Sequence, residues 1–178
     1  HSNLRRQRQM CIRDSLYPDV TLSGVGGPAM KRAGFSSLFN MSEIAIMGLM
    51  PILANLRRLF GLVDLTVAHA CDTSPDIVVL IDSPEFNHRV AARIKKRRAG
   101  IPVICYVAPS VWAWRRGRAR TMARHFDAVL SLFPFESHIF KALSGPPCHF
   151  VGHPIVTRFQ RYTPIADFRG KYLSLIHI

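Results

Sequence analysis

Two short apolar runs decide the fold of this chain: DIVVLID at residues 76–82 and PVICYV at residues 102–107. Both runs are rich in β-branched residues and continuous rather than alternating with polar residues, which is typical of strands buried on both faces of a parallel sheet. Residues 87–99 lie between them, carry apolar side chains at helical spacing, and are followed by Gly100 as a C-cap. This order of strand, helix and strand predicts a right-handed βαβ unit.

The same unit recurs on both sides of these runs. We expect further strands over residues 19–25, 128–132 and 148–151, and further helices over residues 29–33, 51–70, 115–125 and 136–143. Alternation of strands and helices predicts an α/β fold with a Rossmann-like, doubly wound parallel sheet.

Composition limits the class of protein further. The chain has 178 residues, of which 48% are hydrophobic, enough to bury a core and too apolar for a disordered protein. The four cysteines are scattered without CxxC spacing, which fits reduced thiols, and Cys105 is expected to be a buried small hydrophobe. No apolar stretch reaches the roughly 20 residues that span a bilayer.

The charge is strongly and unevenly positive. The formal net charge is +13, and residues 88–124 contain eleven Lys and Arg but no Asp or Glu. Such a concentration indicates nucleic acid, anionic lipid or a phosphorylated substrate as the partner, with a merely solvated helix face as the alternative. Trp112 and Trp114 beside the arginines fit single-stranded nucleic acid and a membrane interface equally well.

Ligands of doubly wound sheets bind beyond the carboxyl ends of the strands. Five loops follow predicted strands and are expected to converge there: residues 24–28, 82–87, 108–114, 133–136 and 152–154. Asp82 at such an end is either a general base or a helix cap. Gly26 and Gly27 either let backbone amides approach a phosphate or form a tight turn. His153 either binds a substrate or stabilises its loop.

An amphipathic helix is predicted after Pro51. Apolar residues at i, i+3 and i+4 spacing face one side, and Arg57 and Arg58 lie beside them. This pattern is shared by core helices and by helices that lie on an anionic membrane surface.

Several of these segments form an ordered series along the chain. The series is GVGGPAM at 24–30 with IMG at 46–48, then IDSPEFN at 81–87, PSVWAWR at 109–115, FPFE at 133–136 and VGHP at 151–154. In order and spacing it resembles the N-terminal half of bacterial lipid-A-disaccharide synthase, and PSVWAWR is its most specific part.

The resemblance implies a GT-B glycosyltransferase with two Rossmann-like domains. That family transfers 2,3-diacylglucosamine from UDP-2,3-diacylglucosamine to 2,3-diacylglucosamine 1-phosphate (lipid X), with inversion, and forms the β-1,6-linked lipid A disaccharide. The implied enzyme needs no metal and no cofactor. It is peripheral on the cytoplasmic face of the inner membrane of a Gram-negative bacterium, where it meets an anionic surface. Nucleic acid is not an expected partner, and homodimerisation of the full-length enzyme stays open.

The resemblance also assigns residues. Asp82 corresponds to an essential acid of the family and would be the general base. Substrate contacts are expected at Gly26, Gly27, Asn87, Ser110, Trp112 and His153. Membrane association is expected through Met50, Ile52, Leu53, Leu56, Leu59 and Phe60. Glu85 stands where the family has Asp, one methylene shorter.

The resemblance sets the expected domain organisation. Residues 17–165 would be the Rossmann-like acceptor and membrane-side domain. From the residues themselves, which show no helix or strand periodicity at the N-terminus, we expect residues 1–16 and 166–178 to be a non-native leader and tail, with a genuine basic arm as the alternative at the N-terminus. The C-terminal UDP-sugar domain would be absent, so we expect this chain alone to be inactive. The alternative from the residues alone is a basic Rossmann-like module that binds nucleic acid without catalysis.

Overall fold

A computed structural model describes residues 20–44 and 55–155 of the chain. Its centre is a parallel sheet of four strands in the order β1-β2-β3-β4. The strands are β1 (Val78–Ile81), β2 (Val103–Tyr106), β3 (Ala128–Ser131) and β4 (Cys148–Phe150). Leu80 pairs with Cys105, and Cys105 pairs with Val129, so these three residues lie in one row across the sheet.

The described helices are α1 (Pro28–Lys31), α2 (Leu56–Thr73), α3 (Pro84–Arg97), α4 (Gly117–Met122) and α5 (Glu136–Ala142), with a 3-10 turn at Met41–Glu43. Helices α3, α4 and α5 each join two neighbouring strands. The strands follow one another across the sheet in sequence order, and right-handed connections between successive strands all pass over the same face. These three helices therefore cover one face of the sheet. Helix α2 packs against α3, and an ion pair of 2.8 Å between Arg93 and Asp64 links the two.

The core lies between the sheet and these helices. Val103 and Val129 are fully buried, as are Ile94 of α3, Met122 of α4 and Phe140 of α5. This is the predicted α/β fold: the described residues form a Rossmann-like parallel sheet flanked by helices.

The prediction that residues 76–82 form a strand buried on both faces is wrong for the part of the chain that the structure describes. Leu80 is buried, but the side chains of Val79 and Ile81 are 47% and 59% exposed. The reason is the placement of the helices, because α3 to α5 cover only the face that carries Leu80.

The strand predicted over residues 19–25 is absent from the described residues 20–25, which are irregular. Val20 and Leu22 are half exposed, and the Gly24 carbonyl accepts a hydrogen bond of 2.9 Å from the Leu38 N–H. The segment therefore pairs with the loop that follows it and not with the sheet. It forms no strand because a strand needs a neighbouring strand to satisfy its backbone hydrogen bonds.

Helix ends also differ from the predictions. Helix α3 begins at Pro84, which suits the first helical turn, and its C-cap is Arg98 and not Gly100. Helix α4 does not include Arg115, whose φ of +52° is left-handed. Helix α2 extends to Thr73, and the predicted start at Pro51 falls outside the described residues, as do the predicted leader and tail.

Candidate functional site

The loops that follow the strands meet at the carboxyl edge of the sheet. Asp82 and Ser83 line a small void of about 10 Å³ together with Val107 and Pro109, which follow β2. The rings of Trp112 after β2 and Phe135 after β3 lie 5.7 Å apart between centroids, and those of Phe133 and His153 lie 6.3 Å apart. The predicted convergence of the loops after β1 to β4 is therefore observed.

Asp82 lies exposed at this edge with a left-handed backbone, φ +43°. Its N–H donates to the Tyr106 carbonyl (3.3 Å), whereas its carboxylate makes no hydrogen bond or ion pair with the described residues. The N-cap of α3 is Ser83, so Asp82 does not cap that helix. A strained non-glycine residue with an uncommitted carboxylate is typical of functional sites.

Beneath Asp82 the site is buried. Asn87 and Cys105 are 5% exposed and line the same small void as Asp82. Burial raises the pKa of the Cys105 thiol to about 12, with smaller contributions from Cys148 and Asp82. The thiol therefore stays protonated at neutral pH, and Cys105 is the buried small hydrophobe that the sequence predicts.

Exposed aromatic residues form the opposite part of the edge. Phe133 stacks on Phe135 at 17° between ring planes, and Trp112 is 45% exposed. The carboxylate of Glu136 accepts a hydrogen bond from the Phe133 N–H (3.2 Å). Burial raises the pKa of Glu136, although the Phe133 N–H and the nearby Trp112 indole oppose the shift. Glu136 therefore holds the loop after β3 in place.

Ser110 and His153, two predicted substrate contacts, lie on this edge and also serve their own loops. Ser110 is exposed, and its carbonyl accepts from the Ala113 N–H (3.1 Å). Nδ1 of His153 accepts from the Ile155 N–H (3.1 Å). These contacts give His153 a structural role, and its contact with substrate stays a prediction.

Gly26 and Gly27 have structural reasons to be glycine. The Gly26 N–H donates to the Ser37 hydroxyl (3.0 Å), and a Cβ at Gly26 would lie 2.7 Å from the ring of Phe35. A Cβ at Gly27 would lie 3.1 Å from the Met41 methyl carbon. The loop therefore packs tightly on the segment that follows it, and its role as a phosphate cradle stays a prediction.

The predicted membrane patch is described in part. Leu56 and Leu59 of α2 are half-buried, and Phe60 is 38% exposed with the guanidinium carbons of Arg89 and Arg93 at 5.1 and 5.6 Å from its ring centroid. Met50, Ile52 and Leu53 fall outside the described residues. Within residues 20–44 and 55–155, no helix has the length and apolarity to cross a membrane.

Sequence reasoning missed a charged cluster beside Asp82. Glu85 accepts hydrogen bonds from Arg115 (3.0 Å) and Arg118. Arg115 and Arg118 lie 30 and 33 residues after Glu85 in the sequence, so no helix or strand periodicity connects them to it. The one available signal was the acid-free basic run, which Glu85 immediately precedes.

The carboxyl edge of this Rossmann-like sheet carries an exposed carboxylate, aromatic rings and arginines. These features define a class of protein: an α/β protein that binds its ligand at that edge. Comparison with known sequences narrows the class to one family. The sequence model of the lipid-A-disaccharide synthetase family matches residues 8–175, and the chain belongs to this family.

Individual relatives agree with this assignment. The chain is 45% identical over 164 residues to the lipid-A-disaccharide synthase of Nitrobacter winogradskyi. The aligned region covers 90% of this chain and 40% of the relative. It is 45% identical over 154 residues to that of Rhodopseudomonas palustris strain BisB18 (86% and 39% covered). It is 46% identical over 145 residues to that of Rhodospirillum centenum (82% and 36% covered). The resemblance drawn from the motifs is confirmed, and the chain spans about 40% of the length of these curated relatives.

Proposed function

We propose that the protein represented by this chain transfers 2,3-diacylglucosamine from UDP-2,3-diacylglucosamine to lipid X and so forms the lipid A disaccharide. Family membership and the similarity to lipid-A-disaccharide synthases support the reaction class. The observation that carries the proposal is Asp82, whose exposed carboxylate has no partner among the described residues at the carboxyl edge of the sheet.

Asp82 would act as the general base. Its carboxylate takes the proton of the acceptor 6-hydroxyl while that oxygen forms a bond to the anomeric carbon of the donor. The bond from that carbon to the UDP oxygen breaks, and its electron pair leaves with UDP, which inverts the configuration. A positioned base of this kind accelerates a reaction by about 10²–10⁴-fold. Because the Asp82 carboxylate makes no hydrogen bond with the described residues, none of them has to be displaced before it accepts the proton.

A chimera tests this proposal. Residues 17–165 of this chain would replace the matching part of the Nitrobacter winogradskyi relative, which supplies the rest of the molecule. We expect the chimera to form the disaccharide and Asp82→Asn to lower its turnover by about 100-fold or more. Asp76→Asn is the matched control, since Asp76 is exposed just before the same strand.

Two outcomes would count against the proposal. A folded chimera without transferase activity would contradict the function itself. Full turnover in the Asp82→Asn chimera would remove Asp82 from the role of base and leave the reaction class standing.

We also propose that helix α2 docks on an anionic membrane surface at the cytoplasmic face of the inner membrane. Phe60 and Leu65 are 38% and 45% exposed on this helix, and Arg57 and Arg58 are exposed beside them. Apolar side chains flanked by arginines favour the boundary between headgroups and acyl chains.

Nothing in the comparisons supports the nucleic-acid alternative. Part of the basic run is also neutralised internally, because Arg93, Lys95, Arg115 and Arg118 all form ion pairs.

A further inference from the structure

A polar depression lies next to Asp82, and the proposed mechanism does not use it. Its volume is about 300 Å³, and its lining residues are Glu85, His88, Arg115, Gly117, Arg118 and Thr121. Glu85 is in the first turn of α3 and Gly117 begins α4, so the depression opens at the carboxyl edge where the candidate site lies.

The charges in this depression do not balance. The guanidinium groups of Arg115 and Arg118 both donate to the same oxygen, Oε1 of Glu85. One carboxylate therefore neutralises two cations, and one positive charge is left over. Each guanidinium has five N–H donors, and a single acceptor oxygen leaves most of them unused by Glu85.

Arg118 is held more firmly than its two charged neighbours. Its side chain is only 14% exposed, whereas the Arg115 side chain is 54% exposed and lies with its guanidinium 4.5 Å from the ring centroid of Trp114. The Glu85 side chain is 65% exposed and has rotatable bonds that let it swing into solvent. The depression thus combines one largely buried guanidinium, a second one beside an aromatic ring, and an anion that solvent can take up.

His88 adds a neutral polar group. Its Nε2 is buried and has no hydrogen-bond partner among the described residues. Burial, followed by Arg118 and His125, lowers the pKa of His88, although Glu85 opposes the shift. His88 therefore lines the depression, and also the small void beneath Asp82, with a neutral imidazole whose buried Nε2 no described residue satisfies.

We propose that this depression is a phosphate-binding subsite in which Arg115 and Arg118 bind a substrate phosphate after it displaces the Glu85 carboxylate. Carboxylate and phosphate are the two anions that guanidinium binds with paired hydrogen bonds, and a phosphate carries more charge than the carboxylate it replaces. The choice of ligand rests on the proposed function, which supplies two sources of phosphate: the 1-phosphate of the acceptor and the diphosphate of the donor.

Calorimetric titration of the 178-residue chain at low salt tests the subsite. The probes are glucosamine 1-phosphate, UDP and unphosphorylated glucosamine. We expect saturable binding of at least one phosphate compound and none of glucosamine, and the tighter of the two phosphate probes identifies the source. Arg115→Gln and Arg118→Gln should each weaken that binding at least 10-fold. Arg120→Gln should leave it unchanged, because Arg120 is exposed on the same helix as Arg118 and makes no ion pair with the described residues.

A variant that should bind phosphate more tightly separates loss of the subsite from simple misfolding. Glu85→Gln removes the competing anion and should tighten phosphate binding several-fold, with circular dichroism confirming that each variant is folded. The inference is overturned by absence of saturable phosphate binding, by equal weakening in Arg118→Gln and Arg120→Gln, or by unchanged or weaker binding in Glu85→Gln. Binding needs no turnover, so an inactive chimera would remove the proposed function and leave the subsite, whereas failed titrations would remove the subsite alone.

Discussion

Three non-glycine residues at the carboxyl edge have left-handed backbones. They are Asp82 (φ +43°), Val107 (φ +74°) and Arg115 (φ +52°). Each such residue costs about 1–3 kcal/mol, and a β-branched residue such as Val107 is the least tolerant of this region. Two of the three carry the groups to which we assign chemistry, the carboxylate of Asp82 and the guanidinium of Arg115. The three left-handed residues thus lie in the loops that carry the proposed base and the Arg115 guanidinium.

Asp127 provides a prediction at the residue scale, because it joins α3 to β2. Its carboxylate accepts from Lys95 (3.0 Å) and from the Val103 N–H (2.6 Å). Burial acts to raise the pKa of Asp127, but the hydrogen bonds from Lys95 and Val103 outweigh it and lower the pKa below its usual value. A lowered folded-state pKa stabilises the protein above the unfolded pKa, about 3.9, and this contribution is lost as the pH falls through the folded value.

We therefore expect Asp127→Asn to lower the free energy of unfolding by about 1 kcal/mol at pH 7, a value reduced for solvent screening of a half-exposed side chain. The difference from wild type should shrink below about pH 4. Urea unfolding at both pH values measures this, with Asp76→Asn as an exposed control. A difference that is constant across the two pH values would show that the charge of Asp127 is not the cause.

At this scale the sequence revealed some site residues and concealed others. Asp82 was found because an acid that ends an apolar strand is visible as a pattern. Glu85, Arg118 and Glu136 were missed as site residues because their importance comes from partners that only the fold brings near. For the same reason, no local pattern could show that Glu136 is buried and accepts a hydrogen bond from the Phe133 N–H.

At the scale of elements, the turn between α5 and β4 gives a second prediction. The Gly145 N–H donates to the Phe140 carbonyl (2.8 Å), and a Cβ at Gly145 would lie 2.8 Å from Cδ1 of the fully buried Phe140 ring. Gly145→Ala should therefore destabilise the protein by about 1–3 kcal/mol, the usual cost of overpacking.

Gly100→Ala is the matched control, because a Cβ there meets nothing within 4 Å. It should be neutral or stabilise by up to about 1 kcal/mol. Thermal unfolding of both variants measures the contrast, and equal melting temperatures would contradict the packing argument.

The elements themselves were predictable where burial dictates them. All four described strands lie within the predicted runs, and the two interior strands, β2 and β3, are the most buried because both of their edges are paired within the sheet. The ends of the connecting helices differ from the predicted ends because of backbone geometry: Pro84 begins α3, and the left-handed Arg115 stays outside α4. Residues 20–25 have a strand-like composition but no strand, because pairing depends on a neighbour and not on the segment alone.

At the scale of the whole molecule, charge and apolar exposure have to be weighed together. The net charge of +13 alone would attract any polyanion. Phe60 lies under two guanidinium groups, so apolar and cationic groups occupy one surface of the α2–α3 pair. A membrane surface offers partners to both groups, and this distinguishes it from a purely electrostatic ligand.

Vesicle sedimentation tests this surface. The chain should bind vesicles that contain phosphatidylglycerol, and Phe60→Ser should weaken the partition about fivefold, which corresponds to about 1 kcal/mol for a partly buried aromatic ring. Ile77→Ser is the control, because Ile77 is 52% exposed but lies outside α2. Equal weakening by both variants, or binding insensitive to both, would contradict docking through α2.

The loop after β2 has a consequence for measurement. The chain has two tryptophans, Trp112 and Trp114, and both belong to this loop. Trp112 lies edge-on to the ring of Phe135, and Trp114 lies against the Arg115 guanidinium. All tryptophan emission of the chain therefore originates at the carboxyl edge and none in the core. The protein carries its own optical reporter of ligand arrival, and a fluorescence change during unfolding would record the release of this loop.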